Sequence, residues 1–126
     1  MPINSTIDYD RKLISTDCTG LISMSDFHYY LDDFLSKNDL KGCNEIFDTT
    51  KADWSNIGYM DLMEISKRSG EIETIDSNTK FAWVVGGVGV ETLIEFYKST
   101  KMLQESKTRV LRAFNNYKDA LNWLNS

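Results

Sequence analysis

The chain has 126 residues, of which 41% are hydrophobic and 26% are charged. This size and composition are typical of one globular domain with a moderate core, and we interpret residues 1–126 as that domain. The net charge of −5 does not favour binding to nucleic acid or to an anionic membrane, because both attract basic surfaces.

The N-terminus and the apolar runs predict a cytoplasmic protein. The stretch MPINSTIDYD has no basic region followed by an apolar run, so we expect no signal peptide. The longest apolar run, near residues 81–90, is far shorter than the roughly 20 residues of a transmembrane helix. Cys18 and Cys43 have no CxxC spacing, and we expect both to be reduced residues of the core.

The first elements are a predicted hairpin and a helix. Residues 5–18 alternate in character, which predicts two strands joined by a tight turn at Asp10 and Arg11, and Thr19-Gly20 is expected to end the second strand. Ser23 and Asp26 resemble a helix capping pair. The helix that they begin has an apolar stripe of Phe27, Tyr30, Leu31, Phe34 and Leu35, and it is expected to end near residues 37–38.

A short strand and a second helix follow. The segment NEIFDT, residues 44–49, predicts a buried strand that ends in Asp48. Asp53 or Ser55 can cap the second helix, and Gly70 is expected to end it.

The second half of the chain repeats the alternation of strand and helix. Residues 81–85 form a continuous apolar strand, and residues 90–101 have helical spacing after a glycine-rich turn. Residues 108–114 alternate as a strand, and Asn116 with Asp119 caps a last helix. The order β-β-α-β-α-β-α-β-α predicts an α/β domain with a mixed, mostly parallel sheet of about five strands and helices packed on it.

This order resembles the SpoIIAA-like family of the STAS superfamily over nearly the whole chain. The resemblance is carried by the segments CTGLISMSDF, EIFDTT, FAWVV and VLRAFNNYKDALNWL. In the last segment, Phe114, Ala120, Trp123 and Leu124 are similar to the family's closing pattern F-x-x-x-x-x-A-x-x-W-L. The resemblance implies a STAS-type fold.

The resemblance also implies a binding or regulatory module rather than an enzyme. In the anti-sigma-factor antagonists of the superfamily, a serine in an Asp-Ser-Ser-Gly motif opens the second helix and is phosphorylated by a partner kinase. The matching residues 53–58 are DWSNIG, where the motif is absent and only Ser55 can stand in for that serine. Similarity of the family's fold to lipid-binding domains allows an apolar ligand between the helices and the sheet.

The turn Gly86-Gly87-Val88-Gly89 raises the question of nucleotide binding. A P-loop needs a Lys-Ser or Lys-Thr pair, and a dinucleotide fingerprint needs a third glycine in the GxGxxG spacing; neither is present. Glu91 also places a negative charge in the first helical turn, where a bound anion would lie. We interpret the turn as a tight strand-to-helix connection, with anion binding at the helix N-terminus as the alternative.

Catalytic and metal-binding patterns are weak in this sequence. His28, the only histidine, lies beside the apolar stripe of the first helix, with Asp32 four residues on, and no HxH or HxxxH spacing exists. An acid/base pair could come from Asp32, Asp33, Asp48 and Asp53 if the fold brings two of them together. For Asp48 and Asp53, capping of turns and helix starts is the simpler role. We therefore expect no catalytic residue, no metal and no cofactor.

The predicted binding site is the end of the sheet, where Asp48, residues 54–58 and the glycine turn should meet. Ligands of open α/β sheets bind beyond the carboxyl ends of the strands, and aromatic side chains at the second helix would wall an apolar pocket or a partner surface. The predicted site residues are Asp48, Trp54, Ser55, Tyr59, Gly86, Gly87 and Gly89. The predicted occupant is a partner protein or a small apolar ligand.

Overall fold

The fold comes from a computed structural model, which describes residues 2–40, 42–72, 79–101 and 110–126. The strands are β1 (Ile3–Asp8), β2 (Leu13–Leu21), β3 (Asn44–Asp53), β4 (Lys80–Val84) and β5 (Val110–Phe114). The α-helices are α1 (Met24–His28), α2 (Tyr59–Ile72), α3 (Glu91–Lys101) and α4 (Tyr117–Leu124). Between α1 and β3 the chain forms a π-helical segment, Tyr29–Leu35.

The five strands form one sheet in the order β1-β2-β3-β4-β5. β1 runs antiparallel to β2, as the hairpin prediction requires, and the other neighbours are parallel. Parallel neighbours need a crossover connection, which the helices supply. The prediction of a mixed, mostly parallel α/β sheet is confirmed.

The sheet has two differently covered faces. On the front face, α1, the π-helical segment, α2 and α3 contribute side chains to the larger core. On the back face, α4 packs over β3, β4 and β5, with Ala120 and Leu124 against Ile46, Ala82 and Val84. Alternate residues of β3 therefore belong to different cores, because successive strand side chains point to opposite faces.

Two strand ends differ from the prediction. β2 continues through Thr19 and Gly20 to Leu21, and β3 continues beyond Asp48 to Asp53. A register shift between Asp17 and Thr19 interrupts the ladder, after which the two strands pair again. Backbone hydrogen bonds thus extend both strands through polar residues, where apolar periodicity gives no signal.

The first helix begins as predicted, with a capping box between Ser23 and Asp26. Its continuation is π-helical rather than α-helical, and the Ser36 N–H donates to the carbonyl of Leu31 at 3.1 Å, five residues back. Over so short a segment the apolar stripe of the sequence does not distinguish an α-helix from a π-helix, because both bury the same side chains.

The second helix begins and ends later than predicted. Asp53 and Ser55 lie in the preceding loop, and the carboxylate of Asp61 accepts a hydrogen bond from the Gly58 N–H at 2.9 Å beside the first turn of α2. The helix also continues through Gly70 to Ile72, since one glycine weakens a helix without ending it.

At α4 the predicted cap is confirmed: the Asp119 N–H donates to Asn116 Oδ1 at 2.9 Å. Of the predicted last strand, residues 108–109 lie outside the described residues.

The glycine turn packs directly on the end of β3. A Cβ atom at Gly87 would lie 2.6 Å from the carbonyl oxygens of both Thr49 and Ala52, and φ is +100° there. Only glycine allows so close an approach together with a positive φ. The residue type at position 87 is therefore fixed by packing against β3.

We expect Gly87→Ala to destabilise the protein much more than Gly20→Ala. Both glycines have positive φ, which costs an L side chain about 1–2 kcal/mol, but a Cβ at Gly20 would meet nothing within 4 Å. Urea unfolding should show a loss of about 1–2 kcal/mol for Gly20→Ala and about 3 kcal/mol or more for Gly87→Ala. Equal losses would contradict the close packing of the turn on β3.

Candidate functional site

The structure brings Trp54, Ser55 and the glycine turn together at the carboxyl end of β3. The Trp54 N–H donates to the carbonyl of Val88 at 2.7 Å, and the Val88 N–H donates to that of Ala52 at 3.0 Å. A Cβ atom at Gly89 would lie 3.2 Å from the backbone nitrogen of Ser55. These residues form one connected corner of the fold.

Trp54 is part of the core rather than the wall of an open pocket. Its side chain is 1% exposed, and its ring lies 5.9 Å from the ring of Phe27, centroid to centroid. The indole Nε1–H donates to the Thr49 carbonyl at 3.4 Å. A ligand at the surface would not contact Trp54 directly, because its side chain is almost completely buried.

Asp48 is not brought to that corner. It lies in the middle of β3, opposite Asp17 of β2 and Val84 of β4, on the back face that α4 partly covers. Its Oδ1 accepts hydrogen bonds from the backbone N–H and the hydroxyl of Thr50 at 2.9 and 2.6 Å. The sheet separates Asp48 from Trp54, because β3 runs five residues further than the sequence predicts.

Ser55 and Tyr59 are exposed and lie in different surroundings. The Ser55 hydroxyl and its backbone N–H donate to Asp53 Oδ1 at 2.6 and 3.0 Å, which lowers the pKa of the Asp53 carboxyl. The Tyr59 ring packs edge-on against Phe96 of α3 at 5.3 Å, and its hydroxyl lies 2.7 Å from that of Ser99. Tyr59 therefore connects α2 to α3.

A cleft of about 360 Å³ lies between α2 and the α1–π-helical wall. Its apolar lining comes from Met24, Phe27 and Leu31 on one side and Ile65 on the other. This volume falls in the range of about 300–1,000 Å³ that is usual for small-molecule sites. We define these four residues as the floor of the cleft. Phe27 connects the floor to the buried Trp54.

Charged side chains form the rim of the cleft, and an ion pair crosses it. Arg68 of α2 directs Nη2 and Nε at the same oxygen of Asp32, Oδ1, at 2.8 and 2.9 Å. The other oxygen, Oδ2, lies 4.0 Å from Nδ1 of His28. The Arg68 and Asp32 side chains are 48% and 40% exposed, so the pair contributes only about 0–1 kcal/mol to stability.

A buried polar network fixes the inner side of the π-helical wall. Tyr30 and Thr16 donate their hydroxyl hydrogens to Oε2 of Glu45, which is completely buried on β3. The Thr16 oxygen lies 2.7 Å from that of Ser5 on β1. Burying a carboxylate is unfavourable unless donors surround it, so this network holds the wall in one position on the sheet.

The Cys18 thiol is the buried nucleophile beside the Glu45 network. Burial, followed by the nearby Glu45 carboxylate, raises the pKa of the Cys18 thiol well above its ordinary value, so this thiol stays protonated and unreactive. Within the described ranges, no group of three His, Cys, Asp or Glu side chains is placed to hold a metal ion. What the rim and floor offer is a half-apolar, half-charged concave surface.

The sequence interpretation did not identify Arg68 and Ile65, which line the cleft. His28 and Asp32 were visible as a pair at i and i+4, but Arg68 follows Asp32 by 36 positions. No local pattern connects residues so far apart, because their contact depends on how α2 packs against the π-helical segment. Ile65 has the spacing of a buried residue of the second helix, and that spacing gives no sign that its side chain also borders a cleft.

One solved structure matches nearly the whole chain. It is the crystal structure of an uncharacterized protein from the DUF3478 family with a SpoIIAA-like fold, from Shewanella loihica PV-4, with a TM-score of 0.54. The protein has a SpoIIAA-like fold. The match covers 97% of this chain and 91% of that chain at 16% identity, which establishes the fold alone. No family model and no curated protein matches the sequence.

The fold that the family resemblance implies is therefore confirmed. In this SpoIIAA-like fold, the cleft opens on the front face beside α2. In the part of the chain that the structure describes, every helix is too short or too polar to cross a membrane.

We expect Trp54→Ala to act on stability. Removing a side chain that is 1% exposed leaves a large cavity under Phe27, and such substitutions cost about 3–5 kcal/mol. Met60→Ala is the control, since Met60 is 75% exposed at the start of α2 and should change the free energy of unfolding by less than about 0.5 kcal/mol. Urea unfolding measures both, and a loss below about 1 kcal/mol for Trp54→Ala would place its side chain outside the core.

Proposed function

We propose that the protein is a non-catalytic binding and regulatory module that holds a small, largely apolar ligand in the cleft between α2 and the α1–π-helical wall. The observation that carries the proposal is the apolar floor of Met24, Phe27, Leu31 and Ile65 in a cavity of about 360 Å³. The proposed site still involves the second helix, as the sequence predicts. The ligand would contact the turns of α2 that carry Ile65 and Arg68 rather than its first turn.

Two further features support the cleft as the binding site. The wall opposite α2 is π-helical over Tyr29–Leu35, and π-helical turns are frequent at functional sites in proteins. The Glu45 network fixes the inner side of this wall, so the floor is preorganised and a ligand loses less free energy on binding.

A partner protein is the other predicted occupant, and the exposed side of α2 is the surface that it would use. Met60 and Met63 lie there with large exposed areas, beside Tyr59. Methionine side chains adapt to different partners because they are flexible and polarizable. A small ligand remains our first proposal because the apolar floor lies in a concave cleft, whereas single exposed apolar side chains are common on protein surfaces.

Native mass spectrometry of the protein purified gently from its own cells tests the proposal. We expect a small-molecule adduct on the wild-type chain and on Met63→Trp, which enlarges α2 outside the cleft. Ile65→Trp fills the floor and should reduce the adduct at least tenfold. An adduct that Ile65→Trp leaves unchanged would contradict the cleft, and a co-purifying chain instead of an adduct would support the partner protein.

The same masses test phosphorylation at Ser55, the alternative function. Ser55 is exposed in the loop before α2, where a kinase can reach it. Its hydroxyl donates to the ionised Asp53, so a phosphate would remove that hydrogen bond and place a second negative charge beside the first. A phosphate mass that Ser55→Ala removes would support the switch, and an unmodified mass would count against it.

A further inference from the structure

We propose that the outer edge of β1 is an interaction surface for a second copy of this chain. The two β1 strands pair antiparallel about a two-fold axis beside Ser5, so that the two five-stranded sheets join into one. This surface lies on the hairpin and does not include the cleft, so the inference is independent of the proposed function.

The outer edge of β1 presents the backbone groups of alternate residues. The Thr19 N–H donates to the Pro2 carbonyl at 2.8 Å, and the register between β1 and β2 continues from there without a shift. In an antiparallel ladder, residues that bond to the neighbouring strand alternate with residues whose N–H and C=O groups point away from it. The outward backbone groups are therefore those of Ile3, Ser5 and Ile7. Among the residues that the structure describes, no strand pairs with this edge.

These outward groups are complementary to the same groups of a second copy. When Ser5 lies opposite Ser5 of the second copy, Ile3 of each chain lies opposite Ile7 of the other. Every outward residue then faces an outward residue, and each such pair exchanges two hydrogen bonds. A shift by one residue would instead turn the side chains of one copy to the wrong face of the joined sheet. Because the pairing is two-fold, it uses both β1 edges and closes the assembly as a dimer.

The charges of the two edge strands favour β1 over β5 as the dimer interface. Residues 3–7 include no charged side chain, no proline and no register shift with β2, which are features that protect edge strands from pairing. β5, at the other edge of the sheet, carries the exposed Arg112 at its centre. A two-fold pairing of β5 would place two arginines directly opposite each other, which is unfavourable.

The side chains of β1 also suit a continued sheet. Ile7 lies opposite Ile14 of β2 and is only half-buried. Pairing places Ile3 of the second copy beside Ile7 and covers more of its apolar surface. On the other face, Asn4 lies opposite Thr6 of the second copy, and both are exposed polar residues that water still solvates after pairing.

Sedimentation equilibrium of charge variants tests the dimer and its register. We expect the wild-type chain to form a dimer whose population rises with protein concentration. The double variant Asn4→Lys with Thr6→Lys places lysines opposite each other twice and should weaken the dimer at least about tenfold. Asn4→Asp with Thr6→Asp should weaken it similarly, because carboxylates then face each other.

An equal mixture of the lysine and aspartate variants separates loss of pairing from loss of folding. Each lysine of one chain then faces an aspartate of the other, so the mixture should form heterodimers about as stable as the wild-type dimer. Unfolded variants could not do so. Met60→Lys with Met63→Lys is the matched control: it adds the same two charges to the exposed side of α2 and should leave the dimer unchanged.

Four results would overturn the inference. They are a wild-type chain that stays monomeric, a dimer that the β1 variants leave intact, a dimer that the α2 variant dissociates, and a mixture that stays monomeric. A strand of a different protein could also occupy the edge. It would appear in native mass spectra as a co-purifying chain that the β1 lysine variant loses, and this result would overturn the second copy as the partner.

Discussion

The hydrogen bonds to the buried carboxylate of Glu45 hold together the elements on which the cleft depends. Tyr30 comes from the π-helical segment, Thr16 comes from β2, and Ser5 extends the network to β1. A carboxylate transferred to an apolar core without donors would cost several kcal/mol, so the donors must keep their places for the fold to be stable. The network therefore fixes the hairpin and the wall of the cleft with respect to β3.

The two sides of the π-helical segment consequently differ in burial and in the strength of their contacts. Its inner side carries Tyr30 and Leu31, which are buried, and its outer side carries Asp32, which is exposed and paired across the cleft with Arg68. Breaking the inner contacts costs much free energy because they are buried. Breaking the outer ion pair costs little free energy because water competes with it.

Local signals were enough to predict the order of the elements. The capping residues Ser23 and Asn116 lie where the sequence places them, because an N-cap depends on three or four consecutive residues. The end of β3 was not predictable in the same way, since the strand continues through Thr50 and Lys51 by backbone pairing with β2. That continuation, with a register shift, also removes Asp48 from the corner that holds Trp54.

The candidate site was less predictable than the fold, because its parts come together only through tertiary packing. Asp32 and Arg68 are 36 positions apart, and the cleft between them exists only when α2 lies beside the π-helical segment. Trp54 shows the same limit: an aromatic residue at the predicted start of the second helix suggests a pocket wall, yet its side chain is 1% exposed and contacts the glycine turn. The structure places the glycine turn and Ser55 side by side, but their role in a binding site stays a prediction, and the cleft was visible only in the structure.

Close packing on β3 accounts for the glycine turn without a bound phosphate. The space beside Gly87 is occupied by the carbonyl oxygens of Thr49 and Ala52, whose partial charges are negative and would repel an anion. Val88 instead forms a bridge to Asp53, which adds a short segment to the sheet before α3 begins. The turn thereby covers Trp54, Trp54 supports Phe27, and Phe27 is part of the floor. The glycines contribute to the cleft through this chain of contacts, by letting one stretch of backbone approach another.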